Sequence, residues 1–407
     1  MEPSAQSNTT TLFKTDFCLL LTNQILQNEA EKGTNFVASP LSLHVMLGLI
    51  AAGSKGQTLQ QLLHFLGSTN VSDLNLLSSK MINLASPAEE GDDPNLAGGP
   101  LLSFVNGAWL DRKFTLKSSF HDIVNGSYKA QLKSVDFATK AEEITEEVNS
   151  WVESATKGLI KQLLPFGSLD NEKNRETALV LANALYFKGA WSKKFDPAMT
   201  KLRDFHLLNG QIVGVPFMTT KRSMRHLYGS FDSYKVVQIP YHSQVSRKFS
   251  MYFFLPNEKE RHGLFNLIQT LKLNPGFLSQ QFKLRLDDLS PFWIPKFRFS
   301  FEIEASETMK EMGLELPFKP GELTEMVDSP NSDELSVSDI FHKSFIEVNE
   351  EGTEAAAATA GRVIQRRISR KNIPSFVADH PFLFMIREET HGVVFFIGAV
   401  LNPLQDA

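Results

Sequence analysis

Gly352-Thr-Glu-Ala-Ala-Ala-Ala-Thr-Ala-Gly361, followed by Arg362-Val-Ile-Gln-Arg-Arg-Ile-Ser-Arg-Lys371, is the stretch that decides the fold. Its first half is built of small side chains, which let the backbone change conformation with little steric resistance. In its second half five of ten residues are cationic, a string suited to a protease that cuts after arginine. Alanine is the best helix former, so a short surface helix over 350–360 is one reading. Gly352 and Gly361 bracket only eight residues, however, and isolated helices of that length are marginal in water. A solvated basic loop, or a weak nuclear-localisation or nucleic-acid patch, is another reading. The flanks discriminate. Phe345-Ile-Glu-Val-Asn349 alternates like a strand leading in, and Phe382-Leu-Phe-Met-Ile386 is an apolar run of the buried-strand kind. The small, basic segment is therefore a long excursion between two strands, and such loops in compact folds are functional or disordered.

Outward from that loop the chain changes character along its length. Phe13, Phe17, Leu20, Leu21 and Ile25 recur at helical spacing, and Gly33 ends that helix. Ser39 reads as an N-cap with Pro40 at the first helical position. A third helix is expected near Thr58, and Ile144, Val148, Trp151, Val152 and Leu159 mark an amphipathic one. Pro87 to Pro100 is rich in glycine, proline and acid and reads as an exposed loop. In the second half, Ala178-Leu-Val-Leu-Ala-Asn-Ala-Leu-Tyr-Phe187 reads as a strand covered on both faces, with polar Asn183 in its middle. Phe249–Leu255 and Val393–Ile397 are further buried strands, and Phe297, Phe299, Phe301 and Ile303 alternate as a one-faced strand does. Helices first and strands later predict an α+β fold with large antiparallel or mixed sheets.

The 407 residues are 42% hydrophobic and 21% charged, as expected of a chain with a sizeable core. The 32 phenylalanines against 6 tyrosines belong to that core. A net charge of −5 argues against a dedicated nucleic-acid binder. Cys18 is the single cysteine, so no intramolecular disulfide forms, and a reducing compartment is favoured. It sits among apolar neighbours and reads as a small buried hydrophobe. The first residues show no cationic stretch followed by an apolar core, so neither a secretory leader nor a membrane span is expected. The expected location is cytoplasmic or nuclear, with an extracellular one left open. No G-x-S-x-G, H-E-x-x-H or phosphate-loop motif occurs, and the ten histidines form no ligand-like pair. Neither catalytic nor metal-binding residues are assigned, and no cofactor is expected.

Five strings carry a resemblance when taken in order. They are Asn35-Phe-Val-Ala-Ser-Pro-Leu-Ser42, Asn183-Ala-Leu-Tyr-Phe-Lys-Gly-Ala-Trp191, Val215-Pro-Phe-Met218, Glu350-Glu-Gly-Thr-Glu-Ala-Ala-Ala-Ala358 and Ala378-Asp-His-Pro-Phe-Leu-Phe384. From Phe13 to Pro403 the chain resembles a serpin, and its single cysteine and the wording of 376–382 look most like plant serpins of the Z type. The resemblance implies a single domain over 1–407, about nine helices and three β-sheets, and an exposed reactive loop at about 350–376. It implies a monomeric protein that is not an enzyme but a suicide substrate. A protease attacks the loop, and after acylation the freed loop inserts as an extra strand in the main sheet and traps its attacker.

Counting along the family pattern from Gly352 places the reactive bond between Arg366 and Arg367, with Arg370 a further candidate downstream. The implied targets are arginine-specific proteases: trypsin-like or kexin-like serine proteases, or metacaspase-like cysteine proteases. The hinge is Gly352, Thr353, Glu354, Ala355, Ala356, Ala357 and Ala358. If Thr353 faces inward on insertion, so do Ala355, Ala357 and Thr359, and nothing bulky or charged enters the sheet core. Ser39, Ser42, Asn183 and His342 match the polar cluster beneath the opening sheet, and Trp191 matches the residue near the place where insertion begins. Read without the family, the serines are helix caps, His342 is a satisfied core histidine and Trp191 is core packing. A non-inhibitory serpin acting as chaperone, carrier or storage protein is the alternative. Its relatives tend to carry charged or bulky hinges, which this chain lacks.

Overall fold

Local chemistry starts the helices where the sequence says it should. In the computed structural model, which describes residues 15–85, 100–169, 177–221, 224–243, 247–259, 261–273, 278, 282–353 and 373–405, helix α1 spans Thr15–Ala30. Helix α2 (Pro40–Ala52) begins at Ser39, whose hydroxyl accepts the Ser42 N–H, with Pro40 in the first turn. Every residue from Pro40 to Ala51 is buried, so α2 is a core helix without a solvent face. Helices α3 (Gly56–Leu66), α4 (Val71–Ala85), α5 (Ser118–Ile123), α6 (Phe137–Ala155), α7 (Arg261–Lys272) and α8 (Ala305–Glu311) complete eight α-helices among the described residues, close to the nine or so expected. Two details differ from the expected helix faces. Leu20 stands 48% exposed on α1, because the apolar side of that helix is narrower than its spacing suggests. Leu159 lies beyond α6, which ends at Ala155.

Three sheets organise the rest. The first has the order β12 (Phe297–Glu304), β13 (Asp339–Val348), β4 (Leu179–Ala190), β2 (Leu101–Asp111) and β3 (Gln131–Val135), and a short sixth strand, β14 (Gly352–Thr353), pairs with β4. The second has seven strands: β1 (Phe36–Ala38), β17 (Val393–Val400), β16 (Phe382–Glu388), β9 (Phe249–Pro256), β8 (Tyr234–Pro240), β7 (Arg225–Ser230) and β10 (Arg285–Asp288). The third has four: β15 (Phe376–Val377), β11 (Phe292–Pro295), β6 (Ile212–Met218) and β5 (Lys201–His206). The α+β expectation and the three sheets hold. No helix among the described residues is long and apolar enough to cross a membrane.

The first sheet shows why the run at 178–187 is apolar throughout. Leu179, Leu181, Leu185 and Phe187 of β4 enter the large core that contains α2. Val180, Ala182, Ala184 and Tyr186 enter a second core beneath α6. Alternate residues thus bury opposite faces, the period-two rule applied to a strand covered twice. The second core also takes Val105 and Trp109 from β2 and Phe341 and Phe345 from β13. Helix α6 therefore lies across three adjacent strands at once.

Candidate functional site at the seam of the first sheet

Strands β13 and β4 run parallel, in register from Asp339 opposite Val180 to Phe345 opposite Tyr186. Beyond that point β13 ends, the chain turns, and β14 comes back antiparallel to β4, with Gly352 opposite Ala190 and Thr353 opposite Gly189. The helical reading of this stretch does not hold for the described residues: Gly352 and Thr353 are extended. The remaining hinge residues, Glu354, Ala355, Ala356, Ala357 and Ala358, and the bond residues Arg366 and Arg367 lie outside the described residues, as does Arg370.

The turn is fixed by polar groups that come from distant segments. Asn349 Oδ1 accepts the N–H groups of Glu351 (2.9 Å) and Gly352 (3.2 Å). The backbone N–H groups of Trp191 and Phe195 donate to the carbonyls of Glu351 and Glu350. The Glu350 carboxylate pairs with Lys296 at 2.8 Å and accepts from Thr200 at 2.6 Å. Burial would raise its pKa, but these partners outweigh that and hold it below the usual carboxylate range. Glu351 pairs with Lys194 at 2.5 Å. Gly352 has φ +155°, and a Cβ there would lie 2.0 Å from the Gly189 carbonyl oxygen, so only glycine lets β14 approach β4 this closely.

Thr353 is 1% exposed and points inward, its hydroxyl 2.7 Å from that of Tyr241. Tyr241 stacks on Trp191 with centroids 4.6 Å apart. Trp191 in turn donates its indole N–H to the Asn349 carbonyl at 2.9 Å. Trp191 is thus both packed in the core and joined to the turn, where β14 begins. Tyr241 carries no sequence signal of its own, since it meets Thr353 across 112 residues.

Below this, at the middle of the seam, the four polar residues named from sequence do meet. The Ser39 N–H donates to His342 Nε2 at 3.1 Å. That nitrogen is therefore an acceptor, which assigns the imidazole proton to Nδ1, and Nδ1 donates to Asn183 Oδ1 at 2.8 Å. The Ser42 hydroxyl donates to the same Asn183 oxygen. The Asn183 amide donates to the Val105 carbonyl at 3.2 Å and to Asn106 Oδ1. Ser344 Oγ lies 3.0 Å from His342 Nε2. Ser39 is both a helix cap, through its hydroxyl, and a member of the cluster, through its backbone. His342, Asn183, Ser39 and Ser42 are fully buried. With no charge beside it, burial lowers the His342 pKa to about 3, so the ring is neutral at any physiological pH. Asn106 is the member that sequence reading passed over. Its signal was present, a polar residue inside an apolar strand directly opposite Asn183. The arrangement is a hydrogen-bonded clasp across β2, β4 and β13, whose neutral members can exchange partners if the strands part.

Comparison with known proteins gives the same answer from outside the geometry. The family model for serpins, serine protease inhibitors, matches residues 13–403. Serpin-ZXA of Oryza sativa subsp. japonica is 48% identical over 375 residues, covering 91% of each chain. Serpin-Z10 of Arabidopsis thaliana is 48% identical over 390 residues, covering 95% of this chain and 96% of that one. The solved structure of Arabidopsis AtSerpin1 in its native stressed conformation superposes with a TM-score of 0.85 at 42% identity, over 96% of this chain and 97% of that one. With sheet order, seam and sequence in agreement, the chain belongs to the serpin family and is most similar to serpins of the plant Z type.

Proposed function

We propose that this serpin is an irreversible suicide-substrate inhibitor of arginine-specific proteases. The observation that carries the reading is the position of β14. Two residues of the loop already pair with β4 at the head of the seam, and their direction points the following residues between β4 and β13. A chain continuing from Thr353 along that line would add hydrogen bonds to both neighbours once they separate. The alanine run that follows needs little room.

In the proposed cycle the serine hydroxyl of the protease attacks the Arg366 carbonyl. The Arg366–Arg367 bond breaks, an acyl ester forms, and the Arg367 amine leaves with the proton taken from the serine. The loop, no longer tethered at its far end, inserts beside β4 and carries the ester with it. Insertion races hydrolysis of that ester, and about 1.4 kcal/mol on either barrier changes its rate tenfold. The clasp around Asn183 keeps the seam closed until then, without a buried charge to strand. A cysteine protease would form a thioester by the same steps.

The test is incubation with trypsin, followed by a denaturing gel and mass spectrometry of the released peptide. The expected result is an SDS-stable complex and a peptide beginning at Arg367. A peptide beginning at Ile368 or Lys371 moves the bond. Cleavage without complex at any ratio sinks inhibition and favours the non-inhibitory reading.

A further inference from the structure

Away from the seam's clasp, a cavity of about 370 Å³ opens where the ends of α4, β2, β4 and α6 meet. Its walls are apolar: Ile82, Leu102, Phe104, Leu159 and Tyr186. Three lysines, Lys129, Lys157 and Lys188, also line it. The volume is within the range of small-molecule sites, about 300–1,000 Å³.

Two of those lysines are held in an unusual way. The chain leaves α6 through Lys157 at φ 54°, with its N–H on the Ser154 carbonyl and the Gly158 N–H on that of Glu153. The wide turn Val124–Tyr128 that follows α5 closes on Lys129 at φ 45°. Such a left-handed residue after a helix is usually glycine, because a Cβ crowds the next carbonyl. Among the described residues these two lysines are the only non-glycine residues with positive φ, and both face one cavity. A helix dipole favours cations near its C-terminus, but any position in the last turn would supply that without the strained conformation. Lys129 Nζ is held by the neutral Asn83 Oδ1 at 2.8 Å. Among the described residues neither lysine forms an ion pair. Strain kept at two independent helix ends, with cationic side chains converging on apolar walls, marks a site rather than two accidents.

We propose that this cavity binds a small amphipathic anion: an aliphatic or aromatic body against the apolar walls, and a carboxylate or sulfate held by Lys129, Lys157 and Lys188. Binding does not depend on protease inhibition. The experiment uses the full chain titrated calorimetrically with dodecanoate, with dodecanol and dodecyltrimethylammonium as neutral and cationic probes of equal length. One equivalent of dodecanoate should bind saturably, at least tenfold more tightly than either control. The double variant K129G/K157G should weaken dodecanoate at least tenfold, yet melt no lower than the parent, because glycine accepts the left-handed conformation freely. The proposal is overturned if dodecanol binds as well, if the double variant binds dodecanoate unchanged, or if it melts lower. It is also overturned by the absence of saturable binding, which would leave the lysines to the acidic stretch 89–93 that follows α4 in the sequence.

Discussion

Thr353 concentrates the chemistry of the loop in one side chain. It is buried, and its hydroxyl meets Tyr241. Replacing it with arginine would bury an unpaired guanidinium or hold β14 off the sheet, at a cost of several kcal/mol. Thr353→Arg should therefore turn the inhibitor into a substrate: trypsin still cleaves, and the number of inhibitor molecules consumed per protease trapped rises at least tenfold. Unchanged stoichiometry would refute the inward role of Thr353. Arg366→Ala is the control, losing recognition at the bond instead. The neutral clasp makes a separate prediction. Asn183→Ala leaves Ser42, His342 and Asn106 without the partner they share. An orphaned buried polar group costs about 1–3 kcal/mol, so the urea midpoint should fall by the equivalent of about 3 kcal/mol or more. His342 adds a pH dependence. Its folded pKa, about 3, lies below the ordinary 6.5, so the unfolded chain binds the extra proton first. Stability from this residue is complete above pH 6.5 and is lost as pH falls toward 3, by up to about 1.4 kcal/mol per pH unit. His44, lowered by burial to about 4, acts in the same direction. Asp339, raised by burial and by Glu304 to about 6, acts oppositely, binding its proton more readily when folded. His342→Asn should flatten the acid limb of the stability curve; an unchanged slope would remove His342 as its source.

Among elements, the decisive pair is β4 and β13. Ala184 and Lys343 are opposite one another on these strands, and the flanking Ala182, Phe341 and Phe345 mark their shared outer face. Adjacent strands lie about 4.8 Å apart, inside the range a disulfide spans. Ala184→Cys/Lys343→Cys, with Cys18 buried and out of the way, should lock the seam when oxidised. The oxidised variant should be cleaved without trapping trypsin, and reduction should restore the trap; trapping by the oxidised form would show that no strand enters there. The elements themselves were legible in the sequence wherever one local rule sufficed. Ser39-Pro40 announced α2, and the doubly apolar 178–187 announced a strand covered on both faces. Leu20 and Leu159 misled because spacing alone does not say where a helix stops or how wide its buried stripe is. The turn at Asn349–Gly352 was illegible for another reason. Its partners Thr200, Lys194, Lys296 and Tyr241 come from segments far away in the chain, and no periodicity encodes such meetings. Family resemblance, not residue chemistry, led to His342 as a member of the clasp.

At the scale of the molecule, the proposed cycle requires that the native form not be the most stable one. Insertion would add a full strand, and each net hydrogen bond contributes about 0.5–1.5 kcal/mol. Cleavage within the loop should therefore raise the melting temperature well above that of the intact protein, measured by calorimetry on the nicked and intact chains. A nicked chain melting at or below the intact one would defeat the idea. Helix α6 gives that cycle a clock. Its underside grips β2, β4 and β13 together, so the sheet cannot widen between β4 and β13 without loosening a helix that touches neither the bait nor the captured protease. How long an acyl-enzyme waits is thereby set by Ile144, Val148 and Val152, while whom it waits upon is set by the arginines of the loop. Selectivity and punctuality are written in separate pieces of chain, free to drift independently under selection.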